Sequence, residues 1–253
     1  MITKKNIVYD KWLSEIIGKD SYTLTLDDEF IALSEENGTE EKQWIHSIHN
    51  NNDPLFVQTK VSTQSTDYIK YLEGVGFFLV DTNVTLKKDI DSDYCEYIKP
   101  DFSEINIRFA KITDRKETIS VASKSFIYSR FHLDPWFSNN IANRIKAKWA
   151  SNYFDGNRGD QMVVALNGNT IVGFLQILKP EEDNFIIDLI AVIKECQRKG
   201  IAVRMIDYAI CENNGICNVT VGTQIGNIPS FKLYQKMKFF LENSTYVFHL
   251  HRD

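Results

Sequence analysis

Gln197-Arg198-Lys199-Gly200-Ile201-Ala202 stands between the apolar run Phe185-Ile186-Ile187-Asp188-Leu189-Ile190-Ala191-Val192-Ile193 and a helical pattern reaching about Asn213. A small-residue turn between a strand and a helix start aims several backbone N–H groups at one spot. There the positive end of the helix can hold a diphosphate. Gly200 permits close backbone approach, and the small Ala202 leaves room that a branched side chain would fill. An ordinary strand-to-helix turn would carry the same letters, so the surrounding order of elements decides between the two readings.

Working outward, Gln161-Met162-Val163-Val164-Ala165-Leu166, the turn Asn167-Gly168-Asn169 and Thr170 to Leu178 read as a hairpin. Phe185 to Ile193 is a third strand, apolar enough to be central. Beyond the cradle come a strand Asn218 to Thr223, a helix opening near Asn227-Ile228-Pro229, and a final strand through Tyr246-Val247-Phe248. Upstream, Ile105 to Ala110 alternates like a strand, and Thr113-Asp114 can cap a helix running to Phe126. Ser129-Arg130-Phe131-His132-Leu133-Asp134-Pro135-Trp136-Phe137 reads as an aromatic loop that the proline keeps from being continuous helix. Helical spacing resumes from Ile141 to Trp149. The order is strand, helix, three strands, helix, strand, helix, strand.

The N-terminal third is less regular. Lys11 to Ile17 reads as a short helix and Ser21 to Leu26 as a strand. Tyr68 to Val75 is an amphipathic helix, followed by a strand from Gly76 to Leu86. This helix-strand unit is a weak repeat of Ser230 to Leu241, with Phe77 opposite Phe239 and Lys70 opposite Lys232. Leu72 falls opposite Tyr234, and no cradle precedes the first copy, so only the second is equipped for chemistry. The polar stretch Lys87 to Glu104, with Pro100 and Asp101, is read as a linker. It divides the chain into a small N-terminal α/β domain, residues 1–98, and a second domain, residues 99–253.

At 253 residues, with 43% hydrophobic and 25% charged residues, the chain can bury two modest cores. The formal charge of −5 and the lack of a basic stripe argue against a nucleic-acid partner. No run reaches the roughly 18 apolar residues of a membrane span, and the N-terminus lacks the apolar segment of a signal peptide. Cys95, Cys196, Cys211 and Cys217 have no metal-ligand spacing and are expected as reduced thiols in a cytoplasmic protein. His46 and His49 share a helix face at metal-ligand spacing, but no third ligand lies nearby, so no metal is expected.

The element order resembles the GNAT acyl-CoA-dependent N-acyltransferases over residues 105–253. Gln197 to Ala202 matches that family's Gln/Arg-x-x-Gly-x-Gly/Ala loop. Asn227, Pro229, Tyr234 and Phe239 are similar to its Asn and Tyr element before the closing strand. Lys238 departs from the pattern, since many members carry glycine before the phenylalanine. The resemblance implies a mixed, mostly antiparallel, splayed sheet flanked by helices, with the N-terminal domain a partial copy of the same unit. A narrower resemblance, to WecD-type TDP-amino-sugar acetyltransferases of bacterial surface-polysaccharide synthesis, rests on Ala122-Ser123, Phe126, Ser129-Arg130-Phe131, Trp136, Trp149 and Thr223-Gln224-Ile225-Gly226-Asn227.

These resemblances imply acyl-CoA as co-substrate, held by Leu189, Ile190, Ala191, Val192, Gln197, Arg198, Lys199, Gly200, Ile201, Ala202, Asn227 and Ser230. Main-chain N–H groups of Leu189 to Val192 would meet the oxyanion, and Tyr234 would protonate the departing thiolate. For the acceptor, a sugar nucleotide, the expected residues are Ser129, Arg130, Phe131, His132, Asp134, Trp136, Phe137 and Gln224. Aromatic faces can stack on base or sugar and arginine can pair with diphosphate. Phe131, Trp136 and Phe137 could equally cover the sheet. The general base, the acyl chain and the C3 or C4 position of the amine are left open, as is a homodimer. The competing readings are a GNAT acting on a protein N-terminus, aminoglycoside or polyamine, and a non-catalytic acyl-CoA-binding module.

Overall fold

A computed structural model describes residues 6–98, 104–213 and 215–252. In chain order the elements are β1 (Ile7–Tyr9), α1 (Lys11–Ile17), β2 (Asp20–Leu24), α2 (Asp28–Glu35), α3 (Glu40–Asn50), β3 (Leu55–Ser62), α4 (Thr66–Gly74) and β4 (Phe78–Asp89). There follow β5 (Ile105–Phe109), α5 (Arg115–Ser125), α6 (Arg130–Leu133), α7 (Asn139–Phe154), β6 (Gln161–Asn167), β7 (Thr170–Glu181) and β8 (Asn184–Val192). The chain closes with α8 (Ile201–Cys211), β9 (Asn218–Gln224), α9 (Ile228–Lys236) and β10 (Phe240–Arg252). The expected order from β5 onward is present. One addition is α6, a single helical turn inside the segment read as an aromatic loop, which ends just before Asp134-Pro135.

Contacts between residues divide the chain into two compact units, and not at a single cut at 98/99. The first takes the residues up to Asn83, Arg130–Ile141 and the stretch from Ser244; the second takes Val84–Ser129 and Ala142–Asn243. The expected linker begins inside β4, which runs to Asp89, while Pro100 and Asp101 lie outside the described residues. A contiguous cut misses this division because strand β10 returns to the N-terminal strands, pairing antiparallel with β3 from Thr245↔Ser62 to Arg252↔Leu55.

In the first unit β1 pairs antiparallel with β2, and β2 parallel with β3. Successive side chains of a strand point to opposite faces, so Val57, Val61, Phe248 and Leu250 face a core shared with Phe30, Trp44, Ile48 and Leu72 from the helices. Phe56, Gln58, Lys60, His249 and His251 take the other face of the same strands.

In the second unit β5, β6, β7 and β8 form an antiparallel run, and β8 pairs parallel with β9. Both faces are covered. Val163, Ala165, Leu175 and Ile177 pack with Met205, Ile206, Ala209 and Ile210 of α8, while Met162, Val164, Leu166 and Phe174 pack with Val121 and Ala122 of α5 and Ala150 of α7. That two-sided burial is why these strands read as near-continuous apolar runs.

The cysteines correct an expectation. Cys95 and Cys211 form a disulfide with Cα atoms 5.7 Å apart, and only Cys196 and Cys217 are free. The partners are 116 residues apart in sequence. They meet because the 3-10 segment Tyr94–Tyr97 lies against α8, where the Tyr94 hydroxyl donates to Asp207 Oδ1 at 2.7 Å.

Candidate active site

Strand β8 creates the site by leaving its neighbour. Its pairing with β9 ends at Ile187↔Val221, so the backbone from Asp188 onward has no partner strand on that side. On the other side its register with β7 steps from Ile177↔Ile187 to Gln176↔Leu189. Asp188 is thus the extra residue of a bulge, a device that bends a strand and re-aims its side chains. Between the parted strands lies a cleft of about 550 Å³.

The cradle sits at one end of this cleft. Arg198 and Gly200 both adopt left-handed backbone conformations, with φ of 61° and 78°. A Cβ on Gly200 would meet nothing within 4 Å, so the glycine is required by its conformation and not by crowding. Gln197 Nε2 donates to the Val192 carbonyl oxygen at 3.0 Å, tying the loop to the end of β8. Gly200 occupies the N-cap of α8 and, having no side chain, makes no cap hydrogen bond to the first N–H groups of the helix. Those donors are available to an anion.

The walls come from the second unit. Leu189, Ile190, Ala191, Val192, Gln197, Arg198, Gly200, Ile201, Ala202, Asn227, Ser230, Tyr234, Ser129 and Gln224 all line the cleft. Lys199 does not; it is exposed beside the cradle. Asn227 is also the N-cap of α9, accepting from the Ser230 N–H at 3.3 Å. Tyr234 is 1% exposed, and burial raises its phenol above the ordinary value, so it is a protonated donor throughout the neutral range. Its ring packs on Phe239 at 5.3 Å. Between them, Lys238 takes a left-handed conformation with φ of 64°, the geometry that glycine supplies without strain.

The remaining expected acceptor residues lie elsewhere. Arg130, Phe131, His132, Asp134, Trp136 and Phe137 belong to the first unit, and none lines the cleft. There the segment covers the β3–β10 face. Phe131 is 1% exposed, and the Phe137 ring stands 5.1 Å from Phe56 and 4.9 Å from His251. Trp136, half exposed, stacks on His251 at 5.4 Å with planes 8° apart. Arg130 Nε donates to Gln58 Oε1 at 3.0 Å.

At the centre of that cover, Asp134 Oδ2 is 2.6 Å from His249 Nδ1 and 2.7 Å from His251 Nε2, while Oδ1 accepts the Trp136 N–H at 2.9 Å. Burial opposes the Asp134 charge, but the two histidines and the Trp136 N–H outweigh it and hold the carboxyl well below its usual range. Burial pushes His249 down to about 4 despite the Asp134 hydrogen bond. The His249 ring is therefore a neutral donor to the carboxylate. Among the described residues, His249 Nε2 and His251 Nδ1 are buried with no hydrogen-bond partner. The three donor atoms lie within 4.8 Å, close enough to share an ion. The observed N–O separations are those of hydrogen bonds.

Sequence reasoning missed the acid-base network behind β8. Asp188 Oδ2 accepts from Trp149 Nε1 (3.0 Å), Arg158 Nε (2.9 Å) and Gln176 Nε2 (2.9 Å), and its Oδ1 accepts from Arg158 Nη2 (2.6 Å). The available signal was a lone acid within an apolar central strand. His46 Nδ1 lies 3.0 Å from Asn50 Nδ2 along α3.

Residues 127–239 match the Acetyltransferase (GNAT) family, and the chain carries a GNAT acetyltransferase domain. It is 34% identical over 139 residues to the spore coat polysaccharide biosynthesis protein SpsD of Bacillus subtilis (strain 168), covering 54% of this chain and 47% of that protein. The chain thus matches about half the length of that relative. It is 25% identical over 194 residues to the dTDP-fucosamine acetyltransferase of Escherichia coli O6:H1, covering 75% of this chain and 79% of that one. A GCN5-related N-acetyltransferase from Sphaerobacter thermophilus shares the fold with a TM-score of 0.61 at 14% identity, over 97% of this chain and 75% of that one. A tandem GNAT protein from the clavulanic acid biosynthesis pathway does so with a TM-score of 0.62 at 8% identity, over 93% and 76%. Among the described residues, no helix is long and apolar enough to cross a membrane.

Proposed function

We propose that this protein transfers an acyl group from acyl-CoA to the amino group of a dTDP-linked amino-6-deoxyhexose for bacterial surface polysaccharide. The observation that carries the reading is one cleft joining the anion cradle, the unpaired backbone of β8 and the buried phenol of Tyr234. The diphosphate of CoA sits on the N–H groups at the start of α8, which directs the thioester toward the parted strands. The acceptor amine, in its uncharged form, attacks the thioester carbonyl, and the oxyanion is met by main-chain N–H groups of Leu189 to Val192. As the C–N bond forms and the C–S bond breaks, Tyr234 gives its proton to the thiolate. The proton lost by the amine leaves through solvent and later restores Tyr234.

The choice of acceptor is supported by the relative that acetylates dTDP-fucosamine and the one of spore coat polysaccharide synthesis. It is also supported by charge: among the residues lining the cleft, Lys146, Arg198, Lys232 and Lys236 face a single acid, Asp188. A polyamine or aminoglycoside would meet that wall with like charge. Retention of a reduced relative of the acyltransferase unit at the N-terminus is the reading we carry for the first unit, and the cytoplasm is where both substrates would be met.

The test is thiol release from acetyl-CoA and 3-hydroxybutanoyl-CoA against a panel of dTDP-amino-6-deoxyhexoses bearing the amine on C3 or C4. Release with at least one sugar nucleotide is expected. Release with polyamines or peptides and none with any sugar nucleotide contradicts the acceptor.

A further inference from the structure

Asp188 lines the cleft, yet its side chain is only 6% exposed and its oxygens are occupied by protein donors. Trp149 of α7, Gln176 of β7 and Arg158 of the loop between α7 and β6 donate to Oδ2 at 3.0, 2.9 and 2.9 Å, and Arg158 also donates to Oδ1 at 2.6 Å. The Arg158 guanidinium lies 5.1 Å from the Trp149 ring centroid, so two of the donors pack on each other. The loop that carries Arg158 is fastened to β7. There the Asp160 N–H donates to the Ile177 carbonyl oxygen at 2.8 Å, and Asp160 Oδ2 accepts the Lys179 N–H at 2.6 Å. Gly159 lets the loop approach, since its φ is 97° and a Cβ there would stand 3.1 Å from Gln176 Cγ. Gln176 Oε1 is buried with no hydrogen-bond partner among the described residues, which leaves the Nε2 bond to Asp188 to orient that amide.

The bulge at Asp188 reverses the phase of the strand. Phe185 and Ile187 pack with α8, whereas Leu189 and Ala191, which unbroken alternation would put on the same side, pack with α5 and α7. Main-chain N–H groups alternate between the two edges of a strand with the same period. The bulge therefore also decides which of them, from Leu189 onward, point to the edge that β9 has left. We propose that Asp188 is a positioning residue for acyl transfer: its carboxylate ties the bulge to α7, β7 and the Arg158 loop, and so holds the β8 N–H groups that meet the oxyanion. Gln176 stands opposite Leu189 in register, so its bond to Asp188 spans the step. An oxyanion site works through donors fixed before the reaction, so slack in the bulge costs rate and not affinity. The inference rests on the acyl-transfer part of the reading above and not on its acceptor.

The experiment compares wild type with Asp188→Asn, Asp188→Ala and Arg158→Met on the amine that wild type acylates fastest, and follows hydrogen exchange in the same proteins. Asp188→Ala should lower kcat by about 10²-fold, the cost of a small displacement in a reacting geometry, with KM for acyl-CoA within about twofold of wild type. Arg158 lies outside the lining of the cleft, so a loss of kcat in Arg158→Met, of about tenfold, reports the clamp without touching substrate. Asp188→Asn keeps the shape, and a turned Gln176 amide can accept from the new side chain, so it should recover most of the kcat lost in Asp188→Ala. Adding Arg158→Met to Asp188→Ala should cost little more, because both remove one anchor. In each variant that loses kcat, the Leu189–Val192 amides should exchange about tenfold faster while Gln197–Ala202 keep wild-type protection. If Asp188→Asn is as inactive as Asp188→Ala, loses the acidic limb of kcat/KM and leaves exchange unchanged, Asp188 is the base and the positioning role falls. Wild-type kcat in folded Asp188→Ala and Arg158→Met overturns it as well. If wild type acylates no amine, the proposed function fails, and exchange in Leu189–Val192 still decides whether Asp188 holds the bulge.

Discussion

The cleft of the second unit and the covered sheet face of the first are built from similar residues and do opposite things. Each gathers aromatic rings, a cation and a carboxylate. In the cleft, strand β8 parts from β9, and the side chains around it stop short of filling the space. On the β3–β10 face, Phe131, Phe137, Trp136 and the Asp134–His249–His251 cluster fill the space themselves. The difference is whether the backbone leaves room. Residue chemistry alone does not separate a binding loop from the lid of a core.

The comparison breaks most sharply at Tyr234. Tyr234→Phe should lower kcat by about 10²-fold or more while leaving the thermal midpoint within a few degrees, since a proton donor is lost and a ring is kept. Turnover close to wild type would remove the cleft's central acid. Phe131→Ala should behave the other way. Truncating a ring that is 1% exposed should cost about 3–5 kcal/mol in denaturant unfolding, with kcat per folded molecule unchanged. A large loss of kcat in folded Phe131→Ala would instead bring that segment into catalysis.

Acid should sharpen the contrast from the first unit. His249 is held at about 4, below its unfolded value of about 6.5. The unfolded chain thus binds the proton first, and stability falls as pH drops from 6.5 to 4. Asp134, also depressed, adds loss at still lower pH. Asp81 opposes this: burial raises it to about 6, against the Thr82 N–H, Arg130 and Lys60. It takes up a proton on folding between about 4 and 6, which favours the folded state as pH falls. Asp81→Asn should therefore unmask the histidine, and equilibrium unfolding of that variant should lose of order 2–3 kcal/mol between pH 6.5 and 4. A flat profile in the variant would mean that His249 is not held neutral.

The smallest effect belongs to the turn beneath Tyr234. Lys238→Gly relieves a left-handed lysine but frees the unfolded chain, so a gain of only about 0.5–1 kcal/mol is expected, with activity unchanged. A loss of stability would show that the lysine side chain contributes more there than its backbone costs.

What the sequence made legible was local. The cradle is a six-residue pattern between a strand and a helix. The near-continuous apolar runs of β6, β7 and β8 announce a sheet buried on both faces, and the positive φ of Lys238 explains why glycine is usual at that point. The cover of the first unit was not legible because its parts are distant: Asp134 meets His249 and His251 across 115 and 117 residues. The Cys95–Cys211 bridge spans a similar gap. Asp188 lay in plain view within an apolar strand, but its bulge depends on the register with β7, which no single strand encodes.

Hydrogen exchange with and without acyl-CoA tests the central claim most directly. Protection should concentrate in Leu189–Val192, Gln197–Ala202 and Asn227–Tyr234, with Phe131–Phe137 and His249–His251 unchanged. Protection of the latter two segments with none at Gln197–Ala202 would contradict the assignment of the cleft as the acyl-CoA site.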